Sequence, residues 1–128
     1  MPVARVRDGW MPLHAQYLEQ TKRADQDHVR VAFFGDSITQ FWLSTGVSAW
    51  NKSIAPLHSS NFGIGGDRTQ HLHWRIENGE LDGYHPKKIV LLIGTNNLHD
   101  DAEEKLLGNT NAEIVEAMRL ILHEMQTR

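Results

Sequence analysis

The chain has 128 residues, with 13 Lys and Arg against 16 Asp and Glu, a formal charge of −3, 40% hydrophobic residues and no cysteine. Those figures exclude intrinsic disorder, a non-specific nucleic-acid binder (which needs a basic face), a disulfide framework, Cys-based zinc sites and a thiol nucleophile. One domain over residues 1–128 is expected, and a cytoplasmic one, because no run approaches the ~18 apolar residues of a membrane span and the first eight lack a signal-peptide core.

Trp10 to Lys22 carries Trp10, Leu13, Tyr17, Leu18 and Thr21 at helical spacing and predicts a helix laid against the domain. Val29 to Phe34 is short, mostly apolar and rich in β-branched and aromatic residues, which predicts a buried strand ending at Gly35-Asp36-Ser37. Ile38, Phe41, Trp42 and Val47 then predict a helical turn or two. A second strand is expected over Ser59 to Phe62, running into Gly63-Ile64-Gly65-Gly66. Asp67 is expected to cap the helix that follows, with Gln70 in the capping-box position, Leu72 and Ile76 facing inward and Gly79 as the stop. Lys88 to Ile93 is the clearest strand and ends at Gly94-Thr95-Asn96-Asn97. The acidic run Asp100, Asp101, Glu103, Glu104 reads as a helix N-terminus facing water. A last helix carries Ile114, Val115, Met118, Ile121, Leu122 and Met125 on one stripe, with Thr110 and Glu113 as its capping box.

The order is therefore one helix and then three strand–helix units, which predicts an α/β fold with a parallel sheet covered on both faces. Three strands make a small sheet where five or so are usual, so the domain is expected to be C-terminally incomplete at Arg128. With the strands in the order 2-1-3, the three loops become neighbours, because adjacent strands lie about 4.8 Å apart. Ligands of such sheets sit at the carboxyl ends of the strands. Ser37 there presents a hydroxyl, Gly66 brings a backbone N–H close because it has no side chain in the way, and Asn96 adds a side-chain N–H. Donors converging beside a hydroxyl make an oxyanion hole beside a nucleophile.

Gly35-Asp36-Ser37-Ile38, Gly66 and Gly94-Thr95-Asn96-Asn97 resemble the first three sequence blocks of the SGNH (GDSL-type) serine hydrolases. Asn61 to Asp67, with His71, Trp74-Arg75, Asn78 to Leu81 and Pro86-Lys87, is similar to a narrower group, the brain-type platelet-activating-factor acetylhydrolase catalytic subunits and their bacterial relatives. The resemblance runs from about Trp10 to Asn97. It implies a flavodoxin-like three-layer sandwich and hydrolysis of short acyl esters, typically acetyl esters of a lipid or sugar. By position it makes Ser37 the nucleophile and Gly66 and Asn96 the oxyanion donors. The family takes its acid and base from a late Asp-x-x-His block, and that Asp/His pair is expected to be absent from this chain.

Taken alone, Asp36 and Ser37 read as a helix cap and a turn. His71 and His73, two apart, point to different sides of a helix and make a poor metal pair. Neither metal nor cofactor is expected. His58, His85 and His123 read as surface or packing residues, and Trp42, Trp50 and Trp74 as core or interface anchors. His99 follows the Asn96 loop and is the one candidate for a surrogate base. Two functions stay open: a serine ester hydrolase, and a catalytically impaired, truncated homologue acting as a binding or regulatory subunit. The resemblance implies a homodimer and a WD-repeat partner. The apolar third strand, left as an edge, calls for a second chain or a strand-supplying partner.

Overall fold

The apolar runs become a three-stranded parallel sheet in a computed structural model that describes residues 1–128. Strand β1 (Val31–Gly35) lies between β2 (Ser59–Gly63) and β3 (Lys88–Leu92), in the order β2-β1-β3. The register sets Gly35 opposite both Gly63 and Leu92. β1 starts two residues later than the apolar run and takes in Gly35. Only glycine fits there: a Cβ would sit 2.2 Å from Thr39 Oγ1 and 2.5 Å from the Leu92 carbonyl oxygen.

Helix α1 (Trp10–Lys22) buries Trp10, His14, Tyr17 and Thr21, a stripe that includes a histidine where Leu13 was expected. A short α2 (Ser37–Gln40) follows β1, then helical turns that include α3 (Val47–Ala49). Helix α4 (Thr69–Arg75) runs on into a wider turn, Ile76–Glu80, whose Gly79 adopts φ +112°. The last helix, α5 (Asn111–Thr127), opens on the expected Thr110–Glu113 capping box.

Ala32, Phe34, Phe62, Ile89 and Leu91 share one side of the sheet and join Trp10, Tyr17, Leu72, Ile76 and Ile121 in a single core. Phe34 and Phe62 stack with ring centroids 4.9 Å apart, and Tyr17 meets Phe62 edge-on. On the other side Phe33 packs on Trp50, and Asn61 Nδ2 donates to the Thr39 carbonyl, so residues 37–57 cover β1 and β2. They do not cover β3. Val90 and Leu92 are 43% and 50% exposed, so the sheet is not closed on both faces as its apolar pattern implied. The fold is α/β and flavodoxin-like in layout. No helix is long and apolar enough to cross a membrane.

The acidic run forms no helix. Asp101 and Leu106 pair as an isolated antiparallel bridge, Asp101 Oδ1 accepts from the Glu104 N–H, and Asp100 Oδ1 accepts from the Gly108 N–H.

β3 therefore combines an unpaired edge with an exposed apolar face, a pairing that invites association with another chain. The 128-residue chain is expected to run above monomer mass in size-exclusion chromatography with light scattering, and Leu92→Lys to shift it towards monomer. A monomeric wild type with cooperative thermal unfolding would refute this.

Candidate active site

Ser37 opens α2 immediately after β1 and is half-buried. Asp36 precedes it, buried, with Oδ1 accepting from the Ile38 N–H at 2.9 Å. Burial raises the Asp36 carboxyl pKa against that hydrogen bond, and Asp36 Oδ2 has no partner. The turn after β2 lies directly on α2. A Cβ at Gly63 would be 2.4 Å from the Gln40 backbone nitrogen, and one at Gly65 would be 3.6 Å from Ser37 Cβ. The Gly65 N–H donates to Gln40 Oε1 at 2.7 Å, which ties the turn to the helix carrying Ser37.

Gly66 adopts φ +80°, a left-handed conformation that favours glycine, and its N–H has no acceptor within the chain. Asn96 sits in the short turn Thr95–Leu98 after β3 and donates one Nδ2–H to the Asp67 carbonyl at 3.0 Å. Its second N–H stays free, since an amide nitrogen carries two. Gly66, Asn96 and His99 line one polar cleft of about 330 Å³ with Arg5, Arg7 and Arg68. Ser37 is not on that wall; it meets the same turn from the α2 side.

The next residue, Asp67, does not cap α4. It is fully buried, accepting from Trp10 Nε1 at 2.7 Å and Arg75 Nε at 2.9 Å, with Arg5 Nη1 at 3.4 Å. The cap is made differently: the Arg68 N–H donates to His71 Nδ1, and the Thr69 N–H to Asn97 Oδ1. Arg75 is the centre of the arrangement. Besides Asp67 it donates to Glu80 Oε1 at 2.5 Å, to the Phe62 carbonyl at 2.8 Å and to the Gly35 carbonyl at 3.2 Å. Burial lowers the pKa of the guanidinium, but Glu80 and Asp67 outweigh burial and the net shift is upward. Glu80 also meets His14 Nδ1 at 2.5 Å. Arg5 clasps the turn from outside, donating to the Gly65 carbonyl at 2.7 Å and to Glu104.

Arg75, Glu80, Arg5 and His14 escaped the sequence reading as structural residues, and Asp67 was read as a cap. One signal was present: Arg75 falls on the Leu72–Ile76 stripe, and a charge at a core position requires buried acids.

No imidazole hydrogen-bonds Ser37. The His99 ring is exposed, and only its carbonyl is engaged, by Arg68 Nη2. Asp-x-x-His spacing does occur twice, at Asp25–His28 and Asp82–His85. Those residues are exposed and precede β1 and β3, so they lie at the strands' amino ends. Ser37 lies beyond the carboxyl end of a five-residue strand, about 17 Å away. Neither pair reaches it.

Residues 33–128 match the GDSL-like Lipase/Acylhydrolase family. Platelet-activating factor acetylhydrolase IB subunit alpha1 of Rattus norvegicus is 43% identical over 113 residues, which is 87% of this chain and 46% of the relative. The Homo sapiens alpha1 subunit gives the same figures. The Homo sapiens alpha2 subunit is 42% identical over 105 residues, 82% of this chain and 43% of the relative. The chain spans less than half the length of these curated relatives.

Two outcomes follow from the buried network. Arg75→Met strands two buried carboxylates and is expected to destabilise by about 3–5 kcal/mol in urea denaturation, while Arg119→Met on the exposed face of α5 leaves the midpoint unchanged. His71 is held neutral: burial, then the charges of Arg5, Arg68 and Arg75, push its pKa from 6.5 down to about 4. Because the folded value is the lower one, this stability is present above pH 6.5 and lost as pH falls towards 4. Up to about 3 kcal/mol is at stake. Denaturation at pH 7 and pH 4.5 is expected to show the loss in wild type and a smaller one in His71→Gln.

Proposed function

The chain belongs to the GDSL-like lipase/acylhydrolase family, and from that premise we propose that it carries the nucleophile of a serine ester hydrolase acting on short-chain, acetyl-type esters. One observation carries the reading: the unpaired Gly66 N–H sits on a turn fastened against Ser37, with Asn96 hydrogen-bonded to the same turn. Ser37 Oγ attacks the ester carbonyl carbon and a base takes its proton. Gly66 N–H and Asn96 Nδ2–H hold the resulting oxyanion, the alcohol leaves, and water releases the acid from the acyl-serine. The relatives' printed name, acetylhydrolase, supports an acetyl group as the acyl part.

The second reading is a catalytically impaired subunit that binds a partner. It is favoured by the absence of an imidazole on Ser37, since loss of a triad's base leaves only the residual catalysis of the oxyanion hole and binding. His99, on the same cleft as Gly66 and Asn96, is the surrogate base to exclude.

A fluorophosphonate probe separates these readings. Slow labelling confined to Ser37, abolished in Ser37→Ala and slowed about 10²-fold or more in Asn96→Ala, is the expected result for an assembled oxyanion site with a weakly activated serine. Fast labelling that falls in His99→Gln identifies His99 as the base. Labelling at another serine, or none at Ser37, refutes the assignment.

A further inference from the structure

At the far end of α4 from the Asp67 turn, His73, Glu77 and Glu124 bring one ligand atom each to within 4.8 Å of one another. His73 is 8% exposed, and its Nε2 is buried with no hydrogen-bond partner. Glu77 Oε1 is 3.3 Å from it. A buried imidazole nitrogen without a hydrogen bond is costly unless something else occupies its lone pair. Glu77 lies four residues on, in the turn that extends α4, and Glu124 faces both from α5.

We infer that His73, Glu77 and Glu124 form a binding site for a divalent cation of the zinc class that fastens α4 to α5. Two carboxylates and a neutral imidazole balance a charge of +2. Tetrahedral bonds of about 2.05 Å to nitrogen and oxygen put neighbouring ligand atoms about 3.3 Å apart, the separation His73 and Glu77 already have. The imidazole is the floor of the site and the two carboxylates are its partly exposed rim, with side-chain exposures of 34% and 24%. A cation therefore enters from solvent, and water completes the fourth position. Glu124 spends Oε2 on Arg128 Nε at 3.1 Å, which leaves Oε1 for the cation. The nitrogen ligand and the low ligand count select zinc, cobalt or nickel over magnesium and calcium, which take six or more oxygens. The site joins two elements that otherwise meet through few buried side chains, since Ile121 alone is fully buried on α5. It is independent of the hydrolase reading, because none of its three side chains hydrogen-bonds Ser37, Gly66 or Asn96.

Isothermal titration of the EDTA-treated 128-residue chain with zinc chloride, paired with thermal melts, tests this. One zinc per chain and a raised melting midpoint are expected, with no response to magnesium. His73→Gln and Glu124→Gln each weaken zinc at least about tenfold, while His58→Gln, on an exposed turn, leaves it unchanged. Glu124 is on the rim, so its variant keeps the test valid even where His73→Gln fails to fold. No zinc uptake at 100-fold excess, or uptake indifferent to Glu124→Gln, overturns the inference.

Discussion

A single guanidinium, that of Arg75, joins the carboxyl ends of β1 and β2 and the turn between β2 and α4. Its four hydrogen bonds reach the last residue of β1, the end of β2, the turn that follows β2 and the turn that ends α4. Gly35 immediately precedes the loop of Ser37, and Asp67 immediately follows Gly66. The relative position of the proposed nucleophile and oxyanion donor is thus set through one fully buried side chain. Such a network is a weak device for net stability, because desolvating the ions offsets much of their attraction. Its value is geometric: with both acids present only one arrangement leaves no charge unpaired.

The same logic explains why the donors remain available. A turn rich in glycine has backbone N–H groups that must find acceptors or face a ligand. Here Gly65 N–H is satisfied by Gln40, the Gly65 carbonyl by Arg5, and the Asp67 carbonyl by Asn96. Gly66 N–H is left over. Rigidity comes from the groups on either side of it, so the free donor is held in place without being used. That is the condition for electrostatic preorganisation, in which dipoles are aimed before charge develops.

Local chemistry was legible in the sequence, and long-range pairing was not. β1 and β3 showed as apolar runs, β2 as a short stretch running into a glycine cluster, the order 2-1-3 was the one that makes the three loops neighbours, and the Thr110–Glu113 cap depends on neighbours three residues apart. Asp67 failed as a cap because its carboxylate is taken by Arg75, eight residues on, and by Trp10 and Arg5, 57 and 62 residues away. The acidic run misled for the same reason: Glu104 answers Arg5 across 99 residues, and no helix is needed to explain it. Ser37, Gly66 and Asn96 could be named from the motifs, but the free state of the Gly66 N–H is a property of the whole turn. The apolar run of β3 implied burial on both faces, yet periodicity records what a strand can bury and not whether a neighbour covers it.

Oxyanion stabilisation and proton transfer depend on different parts of such an enzyme. In the proposed reading the first is built from the Gly66 N–H and the Asn96 amide, which are tied together through the Asp67 carbonyl. The second needs an imidazole within hydrogen-bond reach of Ser37 Oγ, at about 2.6–3.2 Å, and none of this chain's histidines makes that bond. Oxyanion holes alone retain some 10³–10⁴-fold of catalysis over water when a triad member is removed. The proposed oxyanion donors are therefore held by Arg75, Arg5 and Gln40, groups that take no part in moving the Ser37 proton.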